Sequence, residues 1–193
     1  MAEESPTPRN FDRYRGFLLI LAEAAVGPKW HRRFDAADIV QETLLQAYRM
    51  RAQLRGTTNA EEVAWLKTML RRVIEHAMRD HTRDRRDLDR EVPLEVALER
   101  SSVRLQRLVP ASASTPSGRL VRIERELQVS AWLLDLPETQ RQAVVMKYLW
   151  ELSIDETAER MGKAPVAVMA LLKRGLKTLR ERASRDDTSS GRP

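Results

Sequence analysis

The sequence predicts an all-α fold of two small helical domains joined by a flexible linker, and three observations carry that prediction. Aromatic residues make up only 5% of the chain, and its 7 Gly and 9 Pro are scarce outside a few stretches, a mix that favours helices over strands. Apolar residues recur at helical spacing in two blocks, about Phe11 to Arg86 and about Leu120 to Ala183, with no strand candidate and no internal repeat. Between them runs Val109-Pro-Ala-Ser-Ala-Ser-Thr-Pro-Ser-Gly118, which offers little to bury and several helix breakers, as a tether would. The expected divisions are residues 9–90, a linker at 91–118, a second domain at 119–184 and a disordered tail at 185–193.

In the first block Asp35 is placed to cap a helix beginning at Ala36, with Val40, Leu44, Ala47 and Tyr48 on its buried side. Asn59 followed by Glu62 suggests a second capping arrangement, opening a long helix whose stripe is Val63, Leu66, Leu70, Val73 and Ala77. Trp65, on the apolar side of that helix, is expected in the core. Leu94 to Leu108 can form a short helix within the linker. In the second block Pro137 suits the first turn of a helix running to Trp150. Ser153-Ile-Asp-Glu156 matches a capping box, the helix it opens stops at Gly162, and Pro165 restarts a last helix reaching about Ala183.

The chain of 193 residues carries a net charge of +6, compatible with nucleic acid without establishing it. It has no cysteine, which excludes disulfides and thiolate zinc sites, and His31, His76 and His81 form no HExxH pair. The apolar run from Phe17 to Val26 is shorter than a membrane helix and contains Glu23, so no membrane insertion is expected. With no metal-ligand cluster, G-x-S-x-G elbow or Gly-rich phosphate loop, a helical hydrolase is disfavoured, and no catalytic residue, metal or cofactor is expected.

The most specific signal is the spacing Ala158, Gly162, Val168. Two helices crossing at a short turn need a small residue, a residue tolerant of positive φ and an apolar plug, and Met161 and Leu171 extend that core. This is a helix-turn-helix. On its last helix Val168, Leu171, Leu172, Gly175 and Leu179 cluster on one side. Val166, Ala170, Lys173 and Lys177 lie opposite, flanked by Ala167 and Arg174. Small residues near the helix start let the backbone approach a major groove, and the cations beyond them, with Lys163 in the turn, can meet phosphates. From Lys173 to Arg185 there are six cations against Glu181 alone, which by itself equally describes a solvated basic helix end.

Two further features come from the first block. Asp38, Gln41, Glu42 and Leu45 share one helical face opposite the core stripe, which suits either ordinary solvated surface or docking to another protein. The long helix and its end carry Lys67, Arg71, Arg72, Arg79, Arg83, Arg85, Arg86 and Arg90, partly offset by pairs such as Arg71–Glu75. The helix suits a DNA backbone track, and the polar loop Ala52 to Asn59 before it suits an unstacked base.

Taken together these motifs identify a resemblance. Asp35-Ala-Ala-Asp-Ile-Val-Gln-Glu-Thr-Leu-Leu-Gln-Ala-Tyr48 resembles the polymerase-docking helix of extracytoplasmic-function sigma factors. Trp65-Leu66 and the arginine-rich helix resemble their promoter-melting element. Leu136-Pro-Glu-Thr-Gln-Arg-Gln-Ala-Val-Val145 and Ser153 to Gly162 resemble their C-terminal promoter-reading domain. Arg90-Glu-Val-Pro-Leu-Glu through Ser101-Ser-Val-Arg-Leu is similar to a subgroup with a long linker. The resemblance implies a non-enzymatic, cytoplasmic, nucleoid-associated chain whose partners are core RNA polymerase and promoter DNA, with an anti-sigma factor as a further candidate. It assigns polymerase binding to Asp38, Gln41, Glu42 and Leu45. It assigns the −10 region to Arg55, Thr57, Thr58, Asn59, Arg71, Arg72, His76 and Arg79. The −35 region falls to Lys163, Val166, Ala167, Ala170, Lys173, Arg174 and Lys177. Family members often carry Ser or Thr where Ala164-Pro165 stands, and Asn and Asp at the positions of Arg72 and His76. A helix-turn-helix regulator that never joins the polymerase is the alternative, although such a protein needs neither the docking nor the melting helix.

Overall fold

The structure, a computed structural model, describes residues 10–56, 58–82, 93–109 and 119–190. Among them are eight α-helices and no strand. A 3₁₀ turn at Phe11–Tyr14 leads into α1 (Arg15–Trp30), followed by α2 (Ala36–Arg49), a second 3₁₀ turn (Arg51–Gln53) and α3 (Asn59–Thr82). After α4 (Leu94–Arg107) come α5 (Arg119–Leu134), α6 (Glu138–Val144), α7 (Ile154–Met161) and α8 (Pro165–Ser190). The predicted fold class holds: α1–α3 form one helical lobe, α5–α8 the other, and α4 lies in the stretch that joins them. The tether at 110–118 lies outside the described residues.

What the sequence did not reveal is that the lobes are docked. The reason begins with α1, which buries Phe17, Leu18, Ile20, Leu21, Ala22, Ala24, Ala25 and Val26. A helix apolar on nearly every side must be surrounded, and α1 packs on α2 and α3 of its own lobe and on α4 and α5 beyond it. Gly16 makes room for α5, because a Cβ there would stand 2.5 Å from Leu134 Cδ1. At the other end Gly27, at φ 67°, breaks the helix, and the chain turns away through Pro28.

Local signals place most elements. Asp35 accepts a bond from the Ala37 N–H at 2.8 Å and starts α2 where expected. Val40, Leu44 and Ala47 are buried, and Tyr48 is half-buried with its hydroxyl donating to Asp12 at 2.7 Å. On α3, Val63, Leu66, Leu70 and Val73 are buried, joined by Ile74 and Met78, while half-buried Trp65 packs on Phe11 with ring centroids 5.6 Å apart.

Three expectations need correction. Thr58, not Asn59, caps α3: its hydroxyl accepts from the Glu61 N–H at 3.3 Å and its own N–H donates to Glu61 at 3.1 Å. The capping box sits one residue earlier because Asn59 and Glu62 are drawn to Arg13 and Tyr14. The helix expected to run to Trp150 is α only through Val144. Residues Val145–Leu149 widen into a π turn that the Trp150 N–H closes on the Val145 carbonyl at 3.0 Å. Finally, α8 passes Ala183 and continues to Ser190, so residues 185–190 of the expected disordered tail are helical. No Pro or Gly interrupts that stretch, and Asp186 accepts from the Gln128 amide at 2.9 Å, tying the extension to α5.

Candidate nucleic-acid interface

The helix-turn-helix is built from short-range chemistry. Ser153 and Glu156 form the predicted box, with Ser153 N–H donating to the carboxylate at 2.7 Å and Glu156 N–H donating to the Ser153 hydroxyl at 3.1 Å. Those bonds hold the Glu156 carboxyl below its ordinary pKa. At the far end of α7, Gly162 adopts φ 60°, ψ 40°, and Lys163 N–H donates to the Ala158 carbonyl at 3.0 Å. Ala158 and Val168 are both buried at the crossing, and α8 starts at Pro165 with the Ala164 carbonyl accepting from Ala167 and Val168. Pro165 has no N–H to satisfy, so a missing side-chain cap there matters less than elsewhere.

Packing the Val168, Leu171, Leu172 and Leu179 side inward turns the other side out. Lys163, Val166, Ala167, Ala170, Lys173, Arg174 and Lys177 are all exposed. Val166 is 71% exposed, and Met169, which the sequence reading passed over, is 49% exposed beside it. Met169 stands three residues after Val166 and four before Lys173, so helical spacing alone places it on this face. The outer surface of α8 thus runs from an apolar patch at its start to a cationic stretch, where Lys177 stands a loose 3.8 Å from Glu181. An apolar start can contact thymine methyls and the cations can contact phosphates.

The α2 face is likewise open. Asp38, Gln41 and Leu45 are exposed, Leu45 at 42%, and half-buried Glu42 accepts a bond from the Gln46 amide at 2.9 Å. Leu45 stands in water between polar neighbours, with the rest of the apolar stripe buried opposite.

On α3 the candidates separate. Arg72, His76 and Arg79 share an exposed face, and His76 Nδ1 lies 3.0 Å from Asp80. Arg71 is half-buried on the neighbouring side, 2.9 Å from Glu75, lining a cleft shared with α4 and α5. Before the helix, Arg55 is exposed, Thr57 lies outside the described residues, and the Thr58 hydroxyl is held by Glu61 at 2.8 Å. Asn59 accepts from Arg13 at 2.9 Å. The same guanidinium bridges to Glu62 and Tyr14, and the Tyr14 hydroxyl donates to buried Glu62 at 2.7 Å. Burial, with the Glu62 carboxylate beside it, pushes the Tyr14 hydroxyl up to about 12, so it stays a donor. This network pins the start of α3, and with it the loop, to the first turn of the chain. Lys67, a member of the basic run, is turned away from solvent to Glu126 of α5 at 2.7 Å.

Two stretches match family models: residues 11–84 match Sigma-70 region 2, and residues 127–179 match Sigma-70, region 4. The chain belongs to the sigma-70 family. Comparison with curated proteins returned no match. Region 2 coincides with the lobe of α1–α3 and region 4 with the lobe that carries the helix-turn-helix, while α4 falls between the two matches. Sigma-70 factors direct RNA polymerase to promoters and are non-enzymatic, so core RNA polymerase and promoter DNA are the partners of this chain. Among the described residues no helix is long and apolar enough to cross a membrane.

Proposed function

We propose that this sigma factor is of the extracytoplasmic-function type with a long linker. Its α2 face (Asp38, Gln41, Glu42, Leu45) docks core polymerase. The loop before α3, with Arg72, His76 and Arg79, engages the −10 region. The outer face of α8 reads the −35 element. The observation that carries this reading is the coexistence in one chain of an exposed leucine-centred face on α2 and an apolar-to-cationic face on α8. A regulator that only bound DNA would need the second and not the first. Base reading at the start of α8 then rests on apolar contact by Val166, Ala167, Met169 and Ala170, since none of these side chains can form a bidentate hydrogen bond.

The test is transcription with core polymerase over a random promoter library, alongside co-purification of the chain with core. Gln41→Asp with Leu45→Asp places two anions on the α2 face without touching the core. The double variant is expected to lose core binding at least tenfold while keeping its helix content and melting temperature. Normal core binding by the folded double variant would refute the assignment of α2.

A further inference from the structure

We propose that Arg13 positions the Asn59 amide at the start of α3 so that it presents donors only, and that Asn59 thereby selects a base carrying a carbonyl oxygen over adenine. The inference rests on the assignment of this loop to the −10 region. It adds which chemical feature of the base is read and which residue outside the loop decides it.

A primary amide carries an acceptor at one end and two donors at the other, and what it reads depends on which end is free. Asn59 is exposed in the first turn of α3. Its Oδ1 accepts from Arg13 Nη2 at 2.9 Å, and the Tyr14 hydroxyl stands 3.4 Å from the same oxygen. A guanidinium can only donate, so the amide cannot turn its nitrogen toward Arg13 without losing that bond. Among the described residues no partner takes the Asn59 nitrogen, and both of its N–H groups remain for a ligand. Arg13 is itself held in place. It pairs with Glu62, which is 6% exposed, and donates to the Tyr14 hydroxyl at 2.6 Å, with its guanidinium 4.6 Å over the Tyr14 ring. Withdrawing it would strip a buried carboxylate of its cation, so the lock persists when a ligand arrives.

The backbone beside Asn59 is fixed from the other side. Glu61 accepts from the Thr58 N–H at 3.1 Å and from the Thr58 hydroxyl at 2.8 Å. Gly56 lies so close to the stem of Glu61 that a Cβ there would stand 2.4 Å from the Glu61 Cβ. With the Thr58 hydroxyl committed to Glu61, Asn59 and exposed Arg55 are the side chains left with donors to offer among the described loop residues.

Adenine is the base that this arrangement rejects. A free asparagine reads adenine with both ends at once, its oxygen accepting from N6 and its nitrogen donating to N7. With Oδ1 committed inward, the N6 amine meets no acceptor on Asn59. Thymine, cytosine and guanine each carry a carbonyl oxygen that an Asn59 N–H can meet. Hypoxanthine isolates the feature, being adenine with the N6 amine replaced by a carbonyl and a proton added at N1.

The probe is a single-stranded oligonucleotide carrying the −10 sequence that the promoter library returns, with adenine or hypoxanthine placed at each position in turn. It is titrated against the full chain bound to core polymerase. One neutral hydrogen bond is worth about fivefold in affinity, so the unmodified chain should prefer hypoxanthine by about that factor at one position. Arg13→Met frees the amide to turn and should bring the ratio near one. Asn59→Asp keeps a partner for Arg13 but offers acceptors alone, and should favour adenine instead. Circular dichroism checks that both variants keep their helix content. An equal ratio in the unmodified chain, or a hypoxanthine preference that survives both substitutions, would overturn the proposal. A second measurement needs no DNA. In the free chain the Asn59 side-chain amide, read by NMR relaxation, should be as restricted as the backbone, and faster motion should appear in Arg13→Met. A mobile amide in the unmodified chain would sink the lock whatever the loop binds. A rigid amide in a chain without affinity for the −10 strand would refute the −10 assignment and leave the lock standing.

Discussion

Removing Lys173 and Lys177 separates phosphate contact from base reading on α8. Both side chains are exposed on the outer face, beyond the apolar patch of Val166, Ala167, Met169 and Ala170. Each phosphate contact contributes a slope of about 0.9 in the logarithm of affinity against the logarithm of salt. Over a change from about 50 to about 200 mM salt, one contact is worth about 3.5-fold and two about 12-fold. Lys173→Ala with Lys177→Ala should therefore flatten the salt dependence by close to two units of slope and weaken binding at low salt, with the preferred sequence unchanged. Lys177 counts as nearly a full contact because its partner Glu181 is 3.8 Å away in water, where such a pair contributes little. Ala170→Glu, by contrast, sets an anion against the groove and should abolish binding at every salt concentration. The assay is a titration of the full chain with core polymerase against a panel of −35 variants at several salt concentrations. A change of preferred base with an unaltered slope in the lysine variant would show that these residues read sequence, and the division of labour along α8 would fail.

Three further outcomes follow from the packing. Burial raises the Glu23 carboxyl on α1, and Glu138 and Asp35 add to the rise against the opposing pull of Arg141. The folded chain thus holds that proton more tightly than the unfolded one. Its contribution is greatest at acid pH and is lost as pH rises from the ordinary carboxylate range through the raised value. Glu23→Gln should flatten that part of the stability–pH curve, read by thermal melts across a pH series; His31, Arg32, Arg33 and Arg160 line the same cleft. Ser153→Ala removes the acceptor for the Glu156 N–H and should lower stability by about 1 kcal/mol in chemical denaturation. Tyr14→Phe leaves the buried Glu62 carboxylate with one donor fewer and should lower stability by about 1–3 kcal/mol, and an unchanged denaturation midpoint would show that its remaining partners suffice.

The parts of the candidate site legible in the sequence share a physical property: their partners lie within a few residues of one another. Asp35 and Ala37, Ser153 and Glu156, and Gly162 closing on Ala158 are held together by the helix geometry itself, so their spacing along the chain is already their spacing in space. The same holds for the outer face of α8, where periodicity assigns Val166, Ala170, Lys173 and Lys177 to one side and would equally have assigned Met169. The Asn59 cap failed at a distance of one residue, because Arg13 and Tyr14, some 45 positions earlier, compete for its side chain and for Glu62.

By itself the sequence determined the helical class, the starts of α2, α7 and α8 and the outward faces of α2 and α8, since propensity, capping and period act through neighbours on the chain. Only the tertiary structure decided that the apolar run from Phe17 to Val26 is the helix around which both lobes pack. It alone took Lys67 out of the basic track to meet Glu126, 59 positions away. Nothing local marks such a pair. Lys67 has the same propensity and period as Arg71 or Arg72, and its partner is chosen by how α1, α3, α4 and α5 settle against each other. That register is set by shape and burial summed over side chains distant in sequence, and it exists only once the chain has folded.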